Sequence, residues 1–301
     1  MYNDYFEGHY FKHQKGGSSI AFIPGICNEN AFIQVVLKDI SYKFLYPIEQ
    51  YVSKRSKDDQ NVMLKVGHCK FSQKGIKIDI RKKDVEGKSI KIRGLIKYKD
   101  LTPIKYDIMG IFQYFPMECR HGIISMHHKL EGYIDINDEK IDFTRGNGYI
   151  EKDSGTSFPK KYLWVHCSDF NHLNISDRKC SIFVSIADIP FMGFNFKGCI
   201  CVVYYKNREY RLATYLGAKI VRYDDEVVIL KQGIYRLELR PGINHIRKSG
   251  KRGQNLLAPE KGKMTRTVFE NIACYAKFRF FRKDQLLFDL ESDHASIEYV
   301  S

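Results

Sequence analysis

Apolar and polar residues alternate with a period of two through most of the chain, and turn residues separate the alternating runs. In extended backbone this alternation sends apolar side chains to one face and polar ones to the other. It predicts strands over residues 31–37, 41–47, 74–83, 89–99, 140–144, 181–189, 199–207, 226–242 and 273–281. Short strands repeated in this way indicate an antiparallel β-sandwich or barrel.

Helical periodicity is scarce. The best candidate is PIEQYVSKRSK, residues 47–57, where Pro47 would take the first helical position. No Pro- or Ser-rich linker divides the chain, so the loop at 154–161, near the midpoint, is the natural seam. We therefore expect an all-β fold with few short helices, divided into halves at 1–155 and 156–301.

The composition indicates a folded globular protein, because 44% of the 301 residues are hydrophobic and 14% are aromatic. The first residues lack a basic segment followed by an apolar one, and no apolar run is long enough to span a bilayer. We expect a cytoplasmic, soluble protein. The eight cysteines form no CxxC pair, so we expect buried free thiols rather than a zinc ribbon or a redox dithiol.

The formal net charge of +14 is spread along the chain, with Lys and Arg alternating with apolar residues as on the wet face of a strand. The densest basic segment, residues 247–266, holds seven basic residues against the single acid Glu260. A solvated loop is the preferred interpretation, and contact with phosphates or an anionic membrane surface is the alternative. No nucleic-acid-binding motif accompanies this segment, so we expect no nucleic-acid partner.

The stretch GYIEKDSGTSFPKKYLWVHCSDF, residues 148–170, holds two carboxylates before a turn and the only tryptophan after it. In extended backbone one face before the turn carries Tyr149, Glu151 and Asp153, and one face after it carries Tyr162, Trp164 and His166. If the two segments pair as a hairpin, the carboxylates face inward into an aromatic enclosure. Burial there would raise a carboxyl pKa, as a general acid requires.

The alternative for this stretch is a solvent-exposed barrel rim, where Glu151 would form an ion pair with Lys152, Lys160 or Lys161. The spacing of the residues by itself does not decide between an acidic site and this surface ion pair. For every candidate residue below, the same alternative holds in another form: a buried polar group that is hydrogen-bonded and only ties strands together.

Residues 148–170 resemble the signature of the tocopherol cyclase family, a Gly-Tyr/Ala-x-Glu-Lys-Asp/Asn-Trp-Gly-x-Ser-Phe-Pro run followed by an aromatic strand. Other blocks of the chain fit the same family in the same order. They are EGHYFKHQ (7–14), AFIPGI (21–26), FSQKGIKIDI (71–80), MECRHGIISMHHKLEG (117–132), LLAPEKGKMTRTVFENIACYAKF (256–278) and ASIEYV (295–300). Where the family usually has Trp, this chain has His9 and Ser154.

The resemblance implies a relative of the calycins, with lipocalin-like β-barrels, either two in tandem or one large composite β-fold. Barrels of this kind can enclose an apolar ligand. The family reaction closes a ring on a prenylated hydroquinone without a cofactor. It needs a neutral carboxylic acid in a dry site, aromatic faces beside a carbocation, and a polar group that orients the phenol.

From this resemblance we expect Asp153 or Glu151 to donate the proton, and His121 or His166 to hold the hydroquinone oxygen. The residues expected to face the cation are Tyr149, Tyr162 and Trp164. We also expect Glu7, His9 and Glu270 to lie in or beside the pocket. The pair His127 and His128 points to opposite faces of a strand, and we predict no metal and no cofactor.

Three functions remain open from the sequence. The first is a cyclase, an isomerase that closes a carbon–oxygen ring on a prenylated hydroquinone or related isoprenoid. The second is a lipocalin-like carrier that binds an apolar ligand without chemistry, which the loss of two family tryptophans favours. The third is a binding module for an anionic surface through residues 247–266. The expected partner of the first two is an apolar small molecule, drawn where needed from a membrane surface.

Overall fold

The computed structural model describes residues 4–28, 30–55, 62–171, 179–191, 193–243 and 253–300. The described strands are all paired antiparallel, as the alternation predicts. They are joined by turns and by 3₁₀ helices at Ile48–Gln50, Gly110–Tyr114 and Thr214–Leu216. The described residues contain no helix with the length and hydrophobicity of a transmembrane span.

The first sheet has twelve described strands, in the order β4-β3-β2-β1-β12-β10-β9-β8-β7-β6-β5, with β11 beside β10. Its strands are β1 (Phe6–Lys15), β2 (Ser18–Cys27), β3 (Asn30–Leu37), β4 (Ser41–Pro47), β5 (Tyr51–Arg55), β6 (Val62–Val66), β7 (Cys69–Ser72), β8 (Gly75–Lys83), β9 (Ser89–Lys99), β10 (Cys119–Ile136), β11 (Glu139–Asp142) and β12 (Asn147–Gly155). Among the described residues no ladder joins the edge strands β4 and β5, so a closed barrel stays a prediction.

The second sheet has ten described strands, in the order β16-β15-β14-β13-β22-β21-β19-β18-β17, with β20 beside β21. Its strands are β13 (Tyr162–Cys167), β14 (Ser181–Phe191), β15 (Phe194–Tyr205), β16 (Arg208–Ala213), β17 (Lys219–Tyr223), β18 (Val228–Gln232), β19 (Tyr235–Arg240), β20 (Gln254–Glu260), β21 (Lys263–Arg282) and β22 (Gln285–Val300). Two-residue turns help to set the register. Lys206 and Asn207 both have positive φ between β15 and β16, which suits the twist of a tight hairpin.

Each sheet buries one face in its own apolar core. The first core includes Phe11, Phe22, Phe71 and Ile150, and the second includes Leu163, Val165 and Phe278. Because successive side chains of a strand alternate between faces, the buried neighbours of these residues lie on the opposite face of the sheet. Both sheets are therefore buried on two faces near their middle strands, β12 and β13.

Two compact units result. The first contains the residues up to Ile104, Cys119–Ser157 and Leu256–Arg266, and the second contains Lys105–Glu118, Phe158–Asn255 and Thr267–Ser301. Lys105–Glu118 thus belongs to the second unit although first-unit residues flank it in the sequence. Leu256–Arg266 belongs to the first unit although second-unit residues flank it. The predicted division at 1–155 and 156–301 stays a prediction for the boundaries of independently folding domains.

The structure overturns two local predictions. Residues 47–57 do not form a helix in their described part, because only Ile48–Gln50 is 3₁₀ and Tyr51–Arg55 is strand β5; residues 56 and 57 lie outside the described residues. Alternation in YVSKR, which pairs with β6, outweighs the helix-start signal of Pro47. The predicted hairpin between β12 and β13 does not form. Both edges of β12 are occupied by β1 and β10, and both edges of β13 by β14 and β22.

The basic segment is only partly a loop. Residues 247–252 of the predicted loop lie outside the described residues. From Gln254 onward the backbone forms β20 and the start of β21, joined by a turn at Lys261 and Gly262, which both have positive φ. The expectation of an unstructured solvated loop is therefore wrong for residues 254–266, and contact with an anionic surface stays a prediction.

Candidate active site

Strand β12 carries an acidic pair on the face that points away from the first core. Ile150 belongs to that core, so Tyr149, Glu151 and Asp153 lie on the other face, all three together as the alternation predicts. The expectation that the pair faces into an aromatic enclosure stays a prediction. Glu151 is nevertheless 4% exposed, so the opposite face of the sheet is also largely closed to water at this point.

His121 of β10 joins the two carboxylates. It is the direct neighbour of Asp153 in the β10–β12 ladder, and its Nδ1 lies 2.8 Å from Asp153 Oδ1. Its Nε2 lies 3.5 Å from Glu151 Oε2. Since β10 and β12 are hydrogen-bonded strands, the backbone itself holds the ring between the two acids. The ladder thus brings His121, Asp153 and Glu151 together, while the expectation that His121 holds the hydroquinone oxygen stays a prediction.

Tyr149 supplies a hydrogen bond from the buried side of the cluster. Its hydroxyl donates to Glu151 Oε2 over 2.5 Å, and the side chain is fully buried. Burial, reinforced by the negative charge of Glu151, raises the pKa of Tyr149 well above its ordinary value. The phenol therefore remains a neutral donor to Glu151 at physiological pH.

Asp153 presents its two oxygens to different surroundings. Oδ1 lies 2.8 Å from His121 Nδ1 and 3.9 Å from the Cys119 thiol. Among the described residues no donor reaches Oδ2. The Asp153 side chain keeps 19% of its surface exposed, against 6% for Glu151. Of the two predicted acids, Asp153 is therefore the one with an oxygen that a ligand can approach.

Two further predicted residues of the first unit lie on the other face of the sheet. Glu7 and His9 alternate with Gly8 and share the face of Phe11, which belongs to the core. Glu7 accepts hydrogen bonds from the hydroxyls of Tyr5 and Tyr51, and the His9 ring stacks near Phe11 at 6.4 Å. The structure does not bring them together with the acidic pair.

The predicted residues beyond the turn belong to the second unit. Trp164 and His166 alternate with core residues of β13, and their ring centroids are 6.4 Å apart. Tyr162 donates to Glu298 Oε2 over 2.7 Å, and His166 Nε2 lies 3.3 Å from the Ser181 hydroxyl. Glu270, fully buried, is the ladder neighbour of Glu298. Because the predicted hairpin does not form, no ladder pairs β13 with β12, and the place of these residues in the pocket stays a prediction.

Sequence reasoning missed two members of these faces. Tyr10 pairs directly with Glu151 across the β1–β12 ladder, and its ring lies 6.4 Å from that of Tyr149. Glu298 lies between Trp164 and Glu270 in the second sheet. The alternation in EGHYFKHQ and ASIEYV shows which face each occupies, but the pairing of strands so distant in the chain is not written in either segment.

His121, Glu151 and Asp153 also form a set of donors for a cation. Their ligand atoms all lie within 4.8 Å of one another. One imidazole and two carboxylates are a plausible set for a divalent transition metal. The prediction that the protein uses no metal stays a prediction.

Residues 68–180 match the family model described as tocopherol cyclase-like. The resemblance to the tocopherol cyclase family is confirmed for this segment. It contains His121, Glu151 and Asp153 together with β13, and it does not include Glu7, His9 or Glu270.

A curated relative supports the same family. It is described as a probable chloroplastic tocopherol cyclase from Oryza sativa subsp. japonica, and it is 31% identical over 80 residues. The aligned part makes up 26% of this chain and 17% of the length of that relative. The chain therefore aligns with only a small part of that relative.

Solved structures match nearly the entire chain. The crystal structure of CghA with Sch210972 has a TM-score of 0.59 at 7% identity, covering 99% of this chain and 88% of that one. The crystal structure of kievitone hydratase from Nectria haematococca has a TM-score of 0.50 at 11% identity, covering 99% and 89%. At such low identity these matches establish a shared fold and no more.

Proposed function

We propose that this protein is an acid–base enzyme that protonates a carbon–carbon double bond of an apolar substrate and closes a carbon–oxygen ring. The substrate class is a prenylated hydroquinone or a related isoprenoid carrying a hydroxyl group. The observation that carries the proposal is Asp153, which is held at Oδ1 by His121 while Oδ2 has no donor among the described residues.

The hydrogen bond at Oδ1 suits a proton donor. An alkene is a very weak base, so the acid must leave behind a well-stabilised carboxylate. A protonated His121 that donates from Nδ1 stabilises that carboxylate after the proton has left Oδ2. The ladder fixes the two strands, so this stabilisation exists before substrate arrives, as preorganised catalysis requires.

Glu151 balances the charge of His121. Its Oε2 lies 3.5 Å from His121 Nε2, and the hydroxyl of Tyr149 donates to the same oxygen. A carboxylate so placed balances the positive charge that His121 carries when it is protonated, because opposite charges attract at this distance. Glu151 is thus a positioning residue and Asp153 is the catalytic acid.

The reaction balances without an added reactant. The Oδ2–H bond of Asp153 breaks, its proton adds to one alkene carbon, and the other carbon becomes a tertiary cation. The substrate hydroxyl oxygen attacks that cation and forms the ring bond. Its proton then passes to the Asp153 carboxylate, so the acid is regenerated and the product is an isomer of the substrate. Negative charge on Asp153 stabilises the cation in between.

The names of similar proteins fit this reaction class. The curated relative is described as a tocopherol cyclase, and one structural neighbour is described as a hydratase. Protonation of a double bond is the first step of both ring closure and hydration; the two differ in whether an internal hydroxyl or water captures the cation. A buried Glu151 and Tyr149 limit water at this face, which favours ring closure.

The second candidate function is a carrier protein that binds an apolar ligand without catalysing a reaction. Glu151 accepts a hydrogen bond from Tyr149, and a buried carboxylate that is hydrogen-bonded in this way can have a purely structural role. The asymmetry of Asp153, with only one oxygen satisfied, favours the enzyme. Both candidates predict binding of an apolar ligand, and only the enzyme predicts a product.

The decisive experiment is incubation with geranylgeranylated and phytylated hydroquinones in D₂O, followed by mass spectrometry. We expect a chromanol that is an isomer of the substrate and carries one deuterium on the carbon that received the proton. A chelator should leave the rate unchanged. A product heavier by one water would identify a hydratase instead.

Binding of these quinols without any product would support the carrier and refute the catalytic proposal. Loss of all product on chelation would point to the His121, Glu151 and Asp153 set as a metal site. Spontaneous cyclisation is measured in parallel with heat-denatured protein, so that only enzyme-dependent deuterium incorporation is counted.

A further inference from the structure

A row of cross-strand neighbours runs from the acidic site across the first sheet. His121 pairs with Asp153, Asp153 with Gly8, Gly8 with Gly25 and Gly25 with Phe32. Residues directly opposite one another in antiparallel ladders point to the same face. The face that carries the proposed catalytic acid therefore continues over two glycines before it reaches an aromatic side chain.

The two glycines of this row differ in the space above them. A Cβ built on Gly25 would lie 2.6 Å from a ring atom of Phe32, so the Phe32 ring already covers Gly25. A Cβ built on Gly8 meets no atom within 4 Å. The empty space therefore lies over Gly8, between Asp153 on one side and the Phe32 ring on the other.

The neighbours of Gly8 along β1 close the other two sides with aromatic residues. Phe6 and Tyr10 share its face and are 2% and 6% exposed, whereas Gly8 itself is half-buried. Neighbouring strands are about 4.8 Å apart, so Asp153 and Gly25 are separated by about 10 Å across the sheet. The open space above Gly8 therefore has an acid on one side and aromatic rings on the others.

We propose that Gly8 is the specificity-determining residue of the site, because the space above it receives the double bond of an apolar substrate beside Asp153. The inference rests on the proposed function and adds where the substrate lies. Rings at Phe6, Tyr10 and Phe32 give the developing cation π-faces nearby. The sequence suggested Tyr149, Tyr162 and Trp164 for that role, which stays a prediction for them.

The test fills the space one methyl group at a time. In Gly8→Ala and Gly8→Val the new side chain projects into the substrate space, and φ at Gly8 is not in the left-handed region, so the backbone tolerates both. The matched control is Gly17→Ala, at an exposed turn where a Cβ also meets nothing within 4 Å. Thermal unfolding should show all three variants folded.

Binding of geranylgeranylated hydroquinone is measured by equilibrium dialysis, and turnover is measured separately. We expect Gly8→Val to weaken binding by at least about tenfold, with Gly8→Ala between it and the wild type, because a pocket that loses one methyl-sized volume discriminates by that order. Gly17→Ala should bind like the wild type. Asp153→Asn should bind quinol and lose turnover.

The outcomes separate the two proposals. Wild-type binding by Gly8→Val overturns this inference and leaves the proposed function standing if the wild type still forms product. Weak binding by Gly8→Val, together with undiminished turnover by Asp153→Asn, refutes the proposed acid and supports the position of the ligand. Failure of the wild type to bind any prenylated quinol overturns both.

Discussion

The two units have central strands with the same alternating pattern, but the polar residues on these strands differ. In each, a central strand alternates core residues with buried polar or aromatic ones: Ile150 with Glu151 in β12, and Leu163 with Trp164 in β13. The first unit has a histidine bonded to a partly exposed aspartate. The second has Glu298, whose Oε2 is held by the hydroxyl of Tyr162.

The difference lies in which carboxylate retains an accessible oxygen. Asp153 lies beside a position where the sheet carries no side chain, Gly8. Glu298 lies between Trp164 and the fully buried Glu270, in a row filled by large residues. A similar strand pattern therefore gives a candidate acid in one unit and a buried polar row in the other, and open space next to the acid distinguishes them.

The sharpest test of this comparison exchanges each carboxyl for its amide. Asp153→Asn removes the proposed proton donor and keeps its shape, so we expect kcat for ring closure to fall about a thousandfold. Glu298→Gln keeps the shape of the second carboxyl, and we expect kcat to change by less than about threefold. Both rates are measured with geranylgeranylated hydroquinone.

Thermal unfolding of both variants serves as the control for folding. Equal losses of activity in the two amide variants would remove the distinction between the units. A loss confined to Glu298→Gln would reverse it and assign the acid to the second unit.

Much of the fold follows from alternation alone. The ranges 41–47 and 89–99 coincide with β4 and β9, and the run at 226–242 contains β18 and β19 with a turn at Gly233. These segments are predictable because one side of each strand packs in an apolar core. The shared face of Glu151 and Asp153 was predictable for the same geometric reason.

Strand partners were not predictable from the segments themselves. β12 and β13 are consecutive and both alternate, which favours a hairpin by proximity, yet each already has two other partners. The contact between His121 and Asp153 depends on the β10–β12 register, which spans 32 residues of chain. The family resemblance located both residues in blocks of sequence that fit the family, but only the ladder made them neighbours.

The second test compares how the buried titratable groups of the two cores make the free energy of unfolding depend on pH. In the first core His13 Nε2 lies 2.6 Å from the Tyr98 hydroxyl, and burial lowers the pKa of His13 to about 3. An unfolded histidine takes up a proton near pH 6.5, so between pH 6.5 and 3 the unfolded chain binds more protons than the folded one. The free energy of unfolding should therefore fall with decreasing pH, by about 1.4 kcal/mol per unit from this residue.

His13→Phe should remove that part of the slope, as measured by urea unfolding at a series of pH values. Phe22→Leu, a change beside His13 that carries no charge, is the control and should lower stability equally at every pH. Burial raises the pKa of Cys201 in the second core, so its thiol stays neutral throughout this range. An unchanged slope in His13→Phe would show that acid acts elsewhere in the protein.

The smallest expected effect distinguishes a hydrogen bond that contributes to catalysis from one that only stabilises the fold. Tyr149→Phe and Tyr162→Phe each remove one hydroxyl that donates to a glutamate, to Glu151 or to Glu298. A hydrogen bond to a charged group contributes about 1.5–3 kcal/mol, so both variants should unfold at lower urea concentration by similar amounts. Only Glu151 lies near His121, so only Tyr149→Phe should also lower kcat, by about tenfold. Equal kcat values in the two variants would mean that Glu151 stabilises the sheet without acting on His121.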